Sequence, residues 1–223
     1  MARITLIGGH GKIALLATPL LVAAGHEVRS VIRNPDHAAE VAAAGGRPLH
    51  ADIEQLDLLG SGHLVSDSDL VIWAAGAGGG DPRRTYAVDR DAAMRTVDAA
   101  QNAGVARWVM VSYFGAGPDH GVPQDHAFYA YAEAKAAADA RLRGSELDWT
   151  ILGPSGLTDD PGTGRIEVAG EGVEAGTVSR ADVAEVIAQV VDRTDLGRTT
   201  IEFNNGRTPV AEALDTVAAA ARG

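Results

Sequence analysis

The stretch Ile4-Thr5-Leu6-Ile7-Gly8-Gly9-His10-Gly11-Lys12-Ile13-Ala14 constrains this chain more than any other. An apolar run of strand type breaks at a glycine pair, and a helical pattern begins almost at once. The unpaired N–H groups at such a helix start face outward and can hold a phosphate. Gly8 permits a sharp turn, and Gly11 lets backbone come close to a diphosphate. Ala14 stands where a third glycine would fall and is small enough for close helix–strand packing. Glycine turns are also common structural devices, so the motif gains its force from its place at the first β–α junction.

The alternation continues. Lys12 to Ala24 reads as a buried helix ending at Gly25, in which Pro19 removes a donor and should bend the axis. Strand patterns follow at Glu27–Ile32, Arg47–His50, Asp69–Ala75, Arg107–Ser112, Asp148–Leu152 and Thr199–Phe203. Helical patterns lie between them, through Ala44, over Tyr86–Asn102, Tyr129–Arg143 and Arg180–Val191, with a closing helix over Val210–Ala220. Thr158 to Val178 shows little periodicity. Strands alternating with helices predict an α/β fold: a doubly wound parallel sheet (Rossmann fold) with helices on both faces. One domain is expected over 1–223, with 1–155 as the nucleotide-binding core and 156–223 as a small substrate-side segment. Ligands of such sheets bind beyond the carboxyl ends of the strands, which fixes where to look for chemistry.

Composition narrows the partners. Lys plus Arg is 19 and Asp plus Glu is 30, so the net charge is 19 − 30 = −11. That field repels nucleic acid and anionic lipid, and neither is an expected partner. A polyanionic cofactor would instead need individual cations near the glycines. The absence of cysteine excludes thiolate catalysis, disulfides and Cys-ligated zinc. The longest apolar stretch, Ile13 to Ala24, is too short to span a bilayer, and the N-terminus lacks the features of a signal peptide. A cytoplasmic protein is expected.

Arg33 closes the second strand, where NAD sites usually place an acid for the ribose hydroxyls. A guanidinium there suits the 2′-phosphate of NADP, with a solvated turn arginine as the alternative. Asp52 and Ile53, after the third strand, would lie beside the adenine, although Asp52 serves equally well as a helix cap. Ala74, Ala75 and Gly76 end the fourth strand at a second glycine-rich loop running to Gly80. Tyr131 and Lys135 stand four apart and share a helix face, so an ammonium could stabilise phenolate and lower the tyrosine pKa from about 10. Ser112, at a strand end, could orient a substrate oxygen. Glu133 and Asp139 read as solvated-face charges. The histidines of the loop Pro118 to His126 suit a substrate-side lid or plain loop better than a metal site, and no metal is expected.

These residues together resemble an atypical short-chain dehydrogenase/reductase of the NAD(P)H-binding, NmrA-like kind. The resemblance rests on Gly8-Gly9-His10-Gly11-Lys12-Ile13-Ala14, Val31-Ile32-Arg33-Asn34-Pro35, Asp52-Ile53, Ala74-Ala75-Gly76, Val111-Ser112, Tyr131 to Lys135 and Leu152-Gly153-Pro154. It implies that Gly8 to Ile13, Arg33, Asp52, Ile53, Ala74 to Gly76 and Pro154 bind NADP, or NAD. It also implies that Tyr131 acts as general acid/base, that Lys135 lowers its pKa and holds the nicotinamide ribose, and that Ser112 orients the substrate oxygen, while hydride moves to or from a small carbonyl or alcohol substrate. Some relatives lack the Tyr/Lys pair and reduce flavins by positioning alone, and others sense the nucleotide without turnover. Substrate identity and oligomeric state do not follow from the residues.

Overall fold

The computed structural model describes residues 1–78, 80–170 and 172–222; Gly79, in the second glycine-rich loop, lies outside them, as does Glu171 within the aperiodic stretch. The strands are β1 (Arg3–Ile7), β2 (Glu27–Ile32), β3 (Arg47–His50), β4 (Leu70–Trp73), β5 (Arg107–Val111) and β6 (Asp148–Pro154). They continue as β7 (Gly156–Thr158), β8 (Arg165–Val168), β9 (Thr177–Ser179), β10 (Thr199–Asn205) and β11 (Thr208–Pro209). Nine form one sheet in the order β11-β8-β10-β6-β5-β4-β1-β2-β3. From β10 to β3 every pairing is parallel, and β8 runs antiparallel to both β10 and β11. The two short strands β7 and β9 pair with each other apart from this sheet. Both strands at the edges of the large sheet carry a proline, Pro48 in β3 and Pro209 in β11.

The helices are α1 (Lys12–Ala23), α2 (Ala38–Ala43), α3 (Leu58–Val65), α4 (Pro82–Thr85), α5 (Ala93–Asn102), α6 (Tyr129–Arg143), α7 (Arg180–Val191) and α8 (Val210–Ala221). On one face of the sheet, Ala14, Ala17 and Leu21 of α1 belong to the same buried cluster as Val183 and Ile187 of α7. On the other, Val97 of α5 and Ala138 and Leu142 of α6 cover Trp73 and Trp108, whose rings stack at 6.4 Å. Apart from Trp149 and Phe203 the rest of the core is mainly aliphatic, and the sheet is wound on both faces as expected.

Helix α1 runs through the exposed Pro19 to Ala23, as its pattern indicates. Two local features depart from expectation. Helix α3 was not expected at all; Gly60 and Gly62 blur its apolar period, while Asp57 caps it by accepting from the Gly60 N–H at 2.7 Å. The helix expected from Tyr86 begins earlier, at Pro82 after the cap Asp81, and Tyr86–Ala92 between α4 and α5 is a π-helix. Among the described residues, no helix is long and apolar enough to cross a membrane.

Candidate functional site

The first β–α turn is built by close backbone contact. Gly8 has φ +84°, and a Cβ there would sit 2.6 Å from the Ala75 N and Cα. A Cβ on Gly9 would lie 2.5 Å from the Ser30 side chain, so Gly9 serves strand packing rather than the cleft. The Gly11 N–H donates to Gly8 O at 2.8 Å, and Gly11 caps α1 without any side-chain hydrogen bond. The first N–H groups of α1 are thus free of a side-chain cap and available to an anion.

A cleft of about 330 Å³ opens there, at the carboxyl edge of β1, β2 and β4. Of the residues expected to bind a nucleotide, Gly8, His10, Gly11, Arg33, Asp52 and Ile53 line it, joined by Ala74, Ala75 and Gly76. Lys12 and Ile13 do not. The Lys12 ammonium pairs with Asp159 at 2.6 Å, and the Ile13 side chain packs against the core, so their contribution is limited to backbone N–H groups. His10 stacks on His37 at 3.6 Å and bonds Glu40 at 3.0 Å. Asp52 accepts from the Glu54 N–H at 3.0 Å and so closes a turn rather than capping a helix, while keeping a place in the cleft wall.

Arg33 is not alone. Its Nη1 donates to Glu54 Oε1 at 2.8 Å, and Arg84 Nε reaches the same oxygen at 3.2 Å. The sequence neighbourhood of Arg33 shows no carboxylate before Asp36, yet folding brings one from the loop after β3. Two guanidiniums share that single carboxylate, an excess of one positive charge within this group, with Asp52 the second carboxylate of the cleft wall.

The second hollow, of about 410 Å³, lies past the ends of β5 and β6. Ser112, Tyr131 and Pro154 line it, so Pro154 falls on the substrate side rather than in the nucleotide cleft. The half-buried Tyr131 packs among Phe128 (5.1 Å) and Tyr113 (5.7 Å). Lys135 behaves differently from expectation. It is 1% exposed and lines neither hollow, and its Nζ donates to Val111 O at 2.7 Å. Burial pushes the Tyr131 pKa up, and Asp89 and Asp139 push it the same way. The expected lowering by Lys135 is therefore absent from this geometry: the phenol stays protonated.

Beneath the hollow lies a buried ionic group. Asp139, expected on a solvated face, is fully buried and its Oδ2 lies 2.5 Å from Ser112 Oγ. Asp89, on the π-helix, accepts from the Ala77 N–H at 2.9 Å and so ties that segment to the loop after β4. Burial raises the pKa of both carboxyls, with Lys135 opposing, and burial lowers that of Lys135, with Asp139 and Asp89 opposing. Residues 131, 135 and 139 form one stripe on α6, so Asp139 was legible as a continuation of the Tyr/Lys face. The loop histidines make no metal cluster with neighbouring acids among the described residues. His120 Nε2 bonds Glu133 of α6 at 2.9 Å and fastens the loop to that helix.

A glycine turn, a basic corner and a second hollow along the same sheet edge are the arrangement of a dinucleotide fold, and a family model described as NAD(P)H-binding matches residues 8–194. The chain belongs to the NAD(P)H-binding family. Similar members include the uncharacterised sugar epimerase YhfK of Bacillus subtilis (strain 168), 33% identical over 95% of this chain and 98% of its own length. A protein of Bacillus halodurans, a proposed NAD-dependent epimerase/dehydratase, has a structure with TM-score 0.89 at 30% identity, covering 97% of this chain and 100% of that one. The anaerobillin reductase ChuY of Escherichia coli O157:H7 matches with TM-score 0.75 at 26% identity, covering 91% and 97%. The chain is thus similar both to a protein described as a reductase and to proteins described as epimerases, on the same Rossmann-like fold.

Within the family frame, Glu54, Arg84, Asn34, His37 and Val88 are cleft residues that the sequence did not point to. Glu54 and Arg84 had no motif to mark them. Asn34 and His37 could have been found from the turn Arg33-Asn34-Pro35-Asp36, which places both beyond the end of β2.

Proposed function

We propose that the chain is an NADP(H)-dependent oxidoreductase working in the reductive direction on a small carbonyl substrate. The observation that carries this reading is Tyr131 and Ser112 on one hollow beside the nucleotide cleft, with the phenol held protonated. Because β4, β5 and β6 are neighbours, the ends that carry Gly76, Ser112 and Pro154 are consecutive along the sheet edge. The glycine turn and Arg33 would hold NADPH, whose chemistry there would be to supply a hydride, with its electron pair, to the carbonyl carbon. Turned from Asp139, its partner at 2.5 Å, the Ser112 hydroxyl orients the carbonyl oxygen, and Tyr131 donates the proton that turns that oxygen into a hydroxyl, regaining its own from water. Lys135 balances Asp89 and Asp139 and braces the end of β5 rather than activating phenolate. Arg33, with Arg84, supports NADP(H) over NAD(H) through the 2′-phosphate.

The test is NADPH oxidation by the purified protein with a panel of aromatic aldehydes, comparing wild type, Tyr131→Phe and Ser112→Ala. Turnover that falls about 100- to 10,000-fold in Tyr131→Phe supports proton donation. Turnover unchanged in that variant transfers the reading to reduction by positioning alone, which the engagement of Lys135 by Val111 favours. Tight NADPH binding with no turnover leaves a nucleotide sensor.

A further inference from the structure

The substrate-side hollow has a chemical character of its own. Although aromatic residues are only 4% of the chain, Tyr113, Phe114, Phe128 and Tyr131 all line it. Tyr113 meets Phe128 edge-on at 5.2 Å, so the wall is a continuous cluster of rings. Its one cation is Arg180, the first residue of α7, and no carboxylate stands among the described residues that line it. On a chain of net charge −11, a ligand cavity with this balance is selective.

Arg180 is only partly committed. Its Nη1 donates to Asp159 Oδ1 at 2.7 Å and reaches Leu157 O at 3.4 Å. No contact to its Nε or Nη2 exists among the described residues, so one edge of the guanidinium remains for a planar anion. Two further donors line the same hollow, Tyr113 and Ser155, and their hydroxyl oxygens are buried with no protein partner among the described residues. Buried polar atoms left without partners are costly, and a ligand oxygen would satisfy them.

We infer that the hollow takes a planar, unsaturated carbonyl compound bearing a carboxylate, whose carboxylate is bound by Arg180 while its flat body lies on the tyrosine and phenylalanine rings. This rests on the proposed reductive function for the carbonyl, but the recognition itself needs no turnover. A sugar is disfavoured, because its many hydroxyls need a ring of fixed polar groups and this wall is largely aromatic. The volume of about 410 Å³ lies within the range of about 300–1,000 Å³ usual for small-molecule sites.

The experiment is calorimetry on the protein loaded with NADP⁺, which cannot reduce the probe. The probes are 4-formylbenzoate, its uncharged methyl ester, and UDP-glucose. The expected result is that 4-formylbenzoate binds about tenfold or more tighter than the ester, and that Arg180→Met abolishes this preference. Asp159→Asn, which keeps Arg180 and frees more of its guanidinium, should retain or increase the preference; this separates charge recognition from a loosened α7. Equal binding of acid and ester, a preference that survives in Arg180→Met, no binding of either aldehyde, or stronger binding of UDP-glucose would each overturn the inference. If the preference appears yet NADPH-loaded protein reduces neither aldehyde, recognition stands and the catalytic reading alone falls.

Discussion

At the scale of residues, charge placement decides function. Replacing Arg33 with Ala should weaken NADPH binding about ten- to a hundredfold while NADH binding changes little, because only NADPH carries the 2′-phosphate. Glu54→Gln should have the opposite sign: it removes the carboxylate that Arg33 and Arg84 share and strengthens NADPH binding. Titration of both nucleotides into both variants at fixed salt checks the pair, and equal effects on the two cofactors would remove the corner from cofactor choice. Lys135→Met makes a second test. It leaves Asp89 and Asp139 buried without their cation, which should cost about 3–5 kcal/mol of stability. The pH dependence follows from the direction of the shifts. Both carboxyls have folded pKa values above their unfolded ones, so their favourable contribution is present when protonated and is lost as pH rises through the folded values. Without Lys135 those values rise further, so melting temperatures should show a larger deficit near pH 8 than near pH 5, partly restored by adding Asp139→Asn. The positions of Tyr131 and Ser112, on a helix face and at a strand end, were legible in the sequence, whereas the burial of Lys135 against Val111 O was not. The Arg33–Glu54 contact was not legible either, since the two stand 21 positions apart with a separate strand between them.

At the scale of elements, the opening turn assigns its glycines different duties. Gly8→Ala should destabilise the fold by more than about 2 kcal/mol, because it adds a positive-φ penalty to a backbone overlap at 2.6 Å. Gly11→Val places bulk toward the cleft, where the closest atom to a Cβ is Gly8 O at 3.2 Å. It should fold and lose nucleotide affinity steeply. Chemical denaturation and nucleotide titration of both variants distinguish the two duties; a stable Gly8→Ala protein or a Gly11→Val protein with full affinity would contradict them. The long elements were readable from pattern alone: α6 and α7 begin and end where periodicity places them. The failures were physical in origin. Two glycines erased the apolar stripe of α3, and β7, β8, β9 and β11 are too short to show alternation, being defined by partners far along the chain. The π-helix has no periodic signature separable from α, yet it brings Asp89 to the Ala77 N–H.

At the scale of the molecule, the last third of the chain is structural and also lines the second hollow. Strand β10 covers the edge of β6, and α7 packs on α1, the helix of the nucleotide turn. A protein ending at residue 155 would expose Ala14, Ala17 and Leu21, and should show no cooperative unfolding transition in calorimetry; a sharp transition would show that the first part folds alone. The two prolines at the rims of the sheet set the terms on which copies of this chain can meet. In β3, the Ala51 N–H donates inward to Ile32 O, so by alternation the nitrogen of Pro48 faces outward, where it offers no hydrogen. In β11 the Val210 N–H donates inward to Gly164 O, and Pro209 likewise turns its bare nitrogen out. Each rim thus lacks a rung that an incoming strand would need. A strand added at either edge would therefore forgo one backbone hydrogen bond, which weighs against growth by edge-to-edge addition there.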